Sequence, residues 1–194
     1  MGVDLLTLSA HKIYGPKGVG AFYIRKETKI QPLIYGGGQE FGLRSGTENV
    51  AGIVGLGAAI EEVKKEIAKI KYIKSLRDKL IDGILKNISN SQLNGSQENR
   101  LPNNANFSFK GAEGESIVIA LDQAGVSVST GSACSSKTLE PSHVLLALGL
   151  SPEEAHGSLR ITLGRWTTKE EINYVIKVLP GIIKRLRELS PFKG

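Results

Sequence analysis

The sequence predicts an α/β fold, and three of its features carry this prediction. Two short apolar runs, 3–8 and 19–25, stand on either side of a Gly-Pro turn, which is the pattern of two strands joined by a short connection. Apolar residues then recur at helical spacing between about 50 and 88. In the second half, short strand patterns alternate with helical ones, as in α/β and α+β domains.

The individual elements follow from these patterns. Residues 31–49 are predicted to form a long glycine-rich loop, and residues 50–88 one very long helix or two joined ones. The polar stretch 87–104 is predicted to be a loop. The later elements are an edge strand at 106–109, a helix at 115–124 closed by Gly125, a strand at 126–129, a helix at 141–148, a helix capped by Ser151, a strand at 158–163, and a final helix from the Thr168–Glu171 capping box to about Leu189.

Composition narrows the class of protein. Of the 194 residues, 40% are hydrophobic and 23% are charged, an ordinary globular mixture. No apolar run is long enough to span a bilayer and the N-terminus has no basic signal region, so a cytoplasmic protein without a membrane partner is expected. The net charge is +6, but basic and acidic residues alternate along the helical stretch, which disfavours nucleic acid as a partner.

The chain has one cysteine, Cys134, so an intrachain disulfide is impossible and a cysteine-rich zinc site is excluded. The three histidines lack the spacing of metal ligands, and no metal site is predicted. Small residues surround Cys134 and Lys137 follows closely, a setting that favours a thiolate nucleophile on a loop. The alternative is an exposed cysteine without a function.

Three further positions are candidates for chemistry. Lys12 follows a predicted buried strand, and a lysine with a lowered pKa attacks carbonyl groups, while Ser9 and His11 beside it are able to bind a phosphate. Arg160 interrupts an apolar strand and is suited to a carboxylate. Thr47 precedes the long helix, where anions bind. The alternatives are a surface turn at Lys12, a solvent-facing Arg160 and a plain helix cap at Thr47.

Together these stretches resemble the cysteine desulfurases, pyridoxal-phosphate enzymes of the class V aminotransferase group. The resemblance covers the whole chain, and its motifs occur in the family's order. They are S-A-H-K-I-Y-G-P-K-G-V-G, G-G-G-Q-E-F-G-L-R-S-G-T-E-N, S-T-G-S-A-C-S-S-K and H-G-S-L-R-I-T-L-G-R-W-T-T-K-E-E.

The resemblance implies a role for each matching residue. Lys12 would hold the cofactor covalently, and Ser9 and His11 would contact its phosphate. Thr47 would reach the phosphate of the cofactor bound by the other subunit of a homodimer. Cys134 would accept the sulfur of L-cysteine as a persulfide and pass it on, and Arg160 would bind the substrate carboxylate.

The resemblance also implies the C-terminal portion of a fold-type I pyridoxal-phosphate transferase. Residues 1–50 would be the edge of the large domain, 51–88 a linking helix, and 89–194 a small α+β domain that carries the cysteine loop. The first half of the family's chain is expected to be missing, and with it the histidine and aspartate that contact the cofactor ring. Activity of this chain alone is therefore in question.

The resemblance implies sulfur transfer to an acceptor, such as a scaffold protein for iron–sulfur clusters. It leaves open whether a cluster ever contacts Cys134. Two alternatives remain: a non-catalytic persulfide carrier or docking module, and a lyase acting on selenocysteine.

Overall fold

The computed structural model describes residues 2–131 and 140–190. Contacts within the chain divide it into two units, residues 1–68 and 69–194. The helical stretch predicted between 50 and 88 consists of two joined helices, α1 (Val50–Glu66) and α2 (Ile70–Asn87), with a 3-10 turn between them. The boundary between the units falls at this turn.

The first unit begins with an antiparallel pair of strands, β1 (Leu5–Ser9) and β2 (Gly20–Ile24). Both strands are largely exposed, because no further strand or helix of this unit covers their faces. A 3-10 turn, Ala10–Ile13, follows β1 directly. The prediction of two strands joined by a Gly-Pro turn is confirmed.

Helix α1 supports the turn that follows β1. Ala10 is fully buried, and Leu56 and Ala59 of α1 are buried as well. A Cβ at Gly15 would lie 3.0 Å from the Cβ of Ala10 and 3.2 Å from that of Ala59, so a side chain at Gly15 would push turn and helix apart. This close packing holds the turn that carries His11 and Lys12.

The second unit is built on a three-stranded antiparallel sheet in the order β3 (Ser91–Leu93), β4 (Asn104–Phe109) and β5 (Ser158–Thr162). Its helices after α2 are α3 (Gly114–Gln123), α4 (His143–Ala147), α5 (Pro152–His156) and α6 (Lys169–Leu189). The core lies between one face of the sheet and α2, α3 and α6. Its largest fully buried apolar side chains are Leu80, Ile81, Ile84, Phe107, Phe109, Ile117, Leu121, Leu159, Leu179 and Ile183.

Three sequence predictions in this unit were wrong in detail. The strand at 106–109 is the centre of the sheet and not an edge, because β3 pairs with it from within the stretch predicted to be a loop. Strand β3 is only three residues long and mostly polar, so it shows no alternation. The strand predicted at 126–129 is reduced to one bridge, in which Ser129 pairs with Arg160.

Both predicted capping boxes are present. Ser151 caps α5 and Thr168 caps α6, each in reciprocal hydrogen bonds with the glutamate three residues later. The carboxylate of Glu154 accepts a hydrogen bond from the backbone N–H of Ser151 (2.8 Å), and this bond, together with the Ser151 hydroxyl, holds the pKa of Glu154 below its usual value. This cap therefore contributes fully above the carboxyl pKa of the unfolded chain and is lost as the pH falls through the lower folded-state pKa.

Replacing Thr168 with alanine is expected to lower the free energy of unfolding by about 1 kcal/mol, because the amide of Glu171 loses its acceptor. Urea denaturation followed by circular dichroism measures the change. Asn173→Ala, an exposed change inside α6, is the control and should not lower the urea midpoint. Equal midpoints for Thr168→Ala and the wild type would contradict the prediction.

Candidate functional site

Three of the predicted residues lie together at the end of β1. Ser9 is its last residue, and His11 and Lys12 lie in the 3-10 turn that follows. The turn is fixed by hydrogen bonds from the Ala10 amide to the carbonyl of Val19 (3.0 Å) and from the Gly15 amide to the carbonyl of Ala10 (2.9 Å). All three side chains are exposed, and none of them forms a hydrogen bond or ion pair with a residue that the structure describes.

The glycine-rich loop before α1 is held by its own contacts. The buried Ser45 donates its hydroxyl to the carbonyl of Gly37 (2.9 Å), and the amide of Gly46 donates to Oε1 of Gln39 (3.3 Å). Gly46 has φ +116°, a conformation that side-chain-bearing residues rarely adopt. The backbone immediately before Thr47 therefore has a defined path.

Thr47 does not cap the following helix, so the alternative interpretation of Thr47 as a plain helix cap is wrong. Asn49 is the N-cap of α1, and its Oδ1 accepts a hydrogen bond from the amide of Gly52 (3.1 Å). The Thr47 side chain is exposed and makes no hydrogen bond within the described parts of the chain. Its hydroxyl is thus free to bind a ligand.

Arg160 lies in the second unit, in the middle of β5. Its backbone pairs with Ser129 on one side and with Asn106 on the other. The side chain is half-buried and points away from the core, since Leu159 and Ile161 occupy the core face. Among residues 2–131 and 140–190, none accepts a hydrogen bond from its guanidinium or forms an ion pair with it. Arg160 is therefore available to an anion.

Cys134 lies outside the described residues, so the prediction of a thiol nucleophile on a loop stays a prediction. The chain just before it passes close to Ser158. A Cβ at Gly131 would lie 2.8 Å from Oγ of Ser158 and 3.0 Å from Cδ1 of Leu145. Ser158 is 1% exposed, and its hydroxyl has no hydrogen-bond partner among the described residues. Only glycine fits at position 131 without displacing these side chains.

Two negative findings apply to the described residues alone. No helix in that part of the chain is long and apolar enough to cross a membrane. No group of three or more histidine, cysteine, aspartate or glutamate side chains there is arranged to hold a metal ion.

A lysine at the end of a strand, with a serine and a histidine beside it, provides the groups that a pyridoxal-phosphate enzyme needs. Comparison with known proteins agrees with this class. The model of the family described as aminotransferase class-V matches residues 1–175, and the chain belongs to this family.

Curated relatives with high identity to the chain are named cysteine desulfurases. Cysteine desulfurase IscS of Dictyoglomus turgidum is 61% identical over 194 residues, which are all of this chain and 49% of the relative. Cysteine desulfurase IscS 1 of Archaeoglobus fulgidus is 57% identical over 98% of this chain and 50% of its own length. The chain thus spans about half the length of the curated relatives it matches. The sequence-based resemblance to this group is confirmed.

Solved structures show the same fold. A NifS-like protein covers 95% of this chain with a TM-score of 0.83 and 40% identity, and 47% of that protein is covered. A NifS-like protein from Rickettsia africae has a TM-score of 0.84 and 34% identity, and the match covers 94% of this chain and 48% of that protein. A third structure, SspA in complex with cysteine, has a TM-score of 0.61 and 37% identity, and the match covers 86% of this chain and 45% of that protein.

The donors at the end of β1 fit pyridoxal phosphate, the cofactor that the family implies. A hydroxyl, as at Ser9, and an imidazole, as at His11, are groups that bind phosphate, and a lysine amine, as at Lys12, is a group that bonds an aldehyde. All three are exposed and make no hydrogen bond with the described residues, so none has to break an existing interaction to bind the cofactor.

Sequence reasoning missed one residue of interest, Asn106. The stretch N-F-S-F was interpreted only as a strand. Phe107 and Phe109 face the core, so Asn106 and Ser108 lie on the opposite face, next to Arg160 and Ser158 in the neighbouring strand. The alternation of polar and aromatic residues was the signal that could have identified this polar face.

Proposed function

We propose that this chain forms the part of a cysteine desulfurase that binds the cofactor covalently and carries the sulfur. The observation that carries the proposal is the turn at the end of β1, where Ser9, His11 and Lys12 present three phosphate- and aldehyde-binding groups without described partners. The 61% identity to a cysteine desulfurase over the whole chain supports it.

In the proposed reaction, L-cysteine and the thiol of Cys134 give L-alanine and a persulfide on Cys134. The bond between Cβ and sulfur of the substrate breaks, and an S–S bond forms to Cys134. The substrate Cβ gains a proton, so atoms and electrons balance. Bound pyridoxal phosphate would supply an electron sink for this chemistry. The amine of Lys12 would act as a general base that moves the proton on the substrate Cα.

Arg160 would orient the substrate by binding its carboxylate, since a guanidinium offers two parallel N–H donors to such a group. Cys134 would react as a thiolate, because the thiol form is a poor nucleophile. Sulfur transfer should therefore slow as the pH falls and Cys134 becomes protonated.

We also propose that the protein acts in the cytoplasm as a homodimer, in which Thr47 reaches the cofactor of the partner subunit, and that it passes sulfur to an acceptor such as an iron–sulfur scaffold protein. The free hydroxyl of Thr47 supports the dimer, because α1 takes its cap from Asn49 instead. Sedimentation equilibrium of the protein loaded with pyridoxal phosphate tests the dimer.

The test of the function is to incubate the protein with pyridoxal phosphate and L-cysteine and to measure two products. We expect L-alanine, and a gain of one sulfur atom in the protein mass that a thiol reductant removes. Because Cys134 is the only cysteine, the added sulfur identifies the acceptor without a variant. A parallel reaction with selenocysteine separates a desulfurase from a selenocysteine lyase.

Alanine without added sulfur would contradict the role of Cys134. If L-cysteine gives neither product but a persulfide donor added in its place transfers one sulfur atom to Cys134, the alternative of a non-catalytic carrier is favoured. The absence of both products would overturn the proposed function for this chain.

A further inference from the structure

One face of the three-stranded sheet is polar. The core side chains of β4 and β5 alternate with polar ones, so the second face carries a different set. On β4 these residues are Asn104, Asn106 and Ser108, and on β5 they are Ser158, Arg160 and Thr162. A buried or half-buried polar sheet face is unusual, because polar groups are costly to remove from water without partners.

The register of the sheet sets Asn106 beside Arg160. The two residues are direct partners in the antiparallel pairing of β4 and β5. Directly opposed side chains share a face, and their Cβ atoms lie about 4.5–5.5 Å apart. Both side chains are half-buried. The amide of Asn106 and the guanidinium of Arg160 therefore extend from neighbouring backbone positions on the same face of the sheet.

The orientation of the Asn106 side chain is fixed by its neighbour Asn94. Nδ2 of Asn94 donates to Oδ1 of Asn106 at 2.7 Å, and Oδ1 of Asn94 in turn accepts from Nε2 of Gln92 at 3.4 Å. Asn94 is only 6% exposed and also donates to the hydroxyl of Ser108 at 2.9 Å, so it is itself held in place.

This arrangement leaves the N–H groups of Asn106 as its free end. Its Oδ1 is occupied by Asn94, and its Nδ2 makes no hydrogen bond within the described parts of the chain. A fixed amide donor thus stands beside a guanidinium whose N–H groups are also unused. Donors that are oriented before a ligand arrives bind an anion without the cost of ordering.

We propose that the side-chain amide of Asn106 binds the carboxylate of the amino-acid substrate together with the guanidinium of Arg160. The inference rests on the proposed function, which assigns that carboxylate to Arg160. A carboxylate accepts about four hydrogen bonds, and a guanidinium fork satisfies two of them. The amide of Asn106 supplies a further donor without adding a charge, so it contributes to selection for substrates that carry a carboxylate.

The test compares L-cysteine with cysteamine, which has the same amine and thiol but no carboxylate. Binding of each to the protein loaded with pyridoxal phosphate is followed by the absorption change of the cofactor, and KM and kcat are measured for L-cysteine. Asn106→Ala is expected to weaken L-cysteine binding and raise its KM about tenfold, the loss typical of one hydrogen bond to a charged group. Binding of cysteamine and kcat for L-cysteine should stay within about twofold.

Two further variants sharpen the comparison. Asn106→Asp places a negative charge beside the substrate carboxylate. We expect the binding affinity for L-cysteine to fall about a hundredfold, and that for cysteamine to stay unchanged. Asn104→Ala is the matched control, because Asn104 lies on the same face of β4 but pairs with Thr162. Asn104→Ala should leave the binding of L-cysteine and of cysteamine unchanged. Urea midpoints check that all three variants fold.

The outcomes separate this inference from the function it rests on. If the wild-type protein prefers L-cysteine and Asn106→Ala keeps that preference, the inference fails and the proposed function stands. An equal loss of cysteine and cysteamine binding would assign Asn106 a structural role and overturn the inference. A wild-type protein that binds neither ligand would overturn the proposed function and this inference together.

Discussion

A Lys12→Ala variant is expected to lose the yellow absorption band that we expect the wild-type protein to develop with pyridoxal phosphate. Only an amine forms the covalent bond to the cofactor aldehyde, and alanine offers none, so the expected loss is complete. The absorption spectrum is recorded after free cofactor has been removed by gel filtration. Addition of L-cysteine should shift the band of the wild-type protein and leave the spectrum of the variant unchanged.

Lys17→Ala is the matched control for this experiment. Lys17 is also exposed and lies five residues further along the same connection between β1 and β2. Exposed lysines react with excess aldehyde at random, so a specific site is one that the Lys17 variant keeps and the Lys12 variant loses. Retention of the band in Lys12→Ala, or its loss in Lys17→Ala, would contradict the assignment of Lys12.

The helices and the ends of the elements could be predicted from the sequence because their signals are local. Capping boxes at Ser151 and Thr168 and the glycine at Gly125 act within one turn of the chain, and each was found where it was expected. The helical stretch 50–88 was recognised from its apolar spacing, although the pattern alone did not decide between one helix and two.

Pairing between distant strands could not be predicted in the same way. Strand β3 has three residues, and its place in the sheet comes from bonds to residues 107–109. The polar neighbours of Arg160 are likewise set by register, since Asn106 lies 54 positions before it in the sequence. The candidate residues Ser9, His11 and Lys12 could be proposed from the sequence because they lie within four consecutive positions, whereas Asn106 became a candidate only through tertiary contacts.

Replacing Arg77 with methionine should lower the free energy of unfolding of the second unit by about 2 kcal/mol, the loss typical of hydrogen bonds from a charged group. Arg77 lies in α2 and is 1% exposed. Its guanidinium donates to the carboxylate of Asp78 from Nε (2.9 Å), and to the carbonyl of Leu101 from Nη1 (2.8 Å). Methionine keeps much of the apolar stem but cannot donate, so the carbonyl of Leu101 loses its charged donor.

The size of the expected loss in unfolding free energy depends on whether water can replace Arg77 as the hydrogen-bond donor to each of its partners. The side chain of Asp78 is 46% exposed, so water can replace the guanidinium there and the ion pair itself contributes little. The carbonyls of Arg100 and Leu101 lose the donor that ties the 94–104 connection to α2. Arg100, which continues the contact, is partly buried beside Arg77, and burial and the neighbouring charge lower its pKa. The expected loss is therefore that of hydrogen bonds from a charged group and not that of a buried charge left without a partner.

The same change should reach the sheet face that carries Asn106. The carbonyl of Arg100 accepts a weak hydrogen bond from Arg77, and the Arg100 side chain donates to the carbonyls of Asn94 (2.6 Å) and Ser96 (2.7 Å). Asn94 orients Asn106, so a loosened connection weakens the fixed amide as well as the fold. Urea denaturation measures the stability, with the exposed Arg185→Met in α6 as the control. A loss below about 1 kcal/mol in Arg77→Met, or an equal loss in Arg185→Met, would show that the buried guanidinium does not hold the connection.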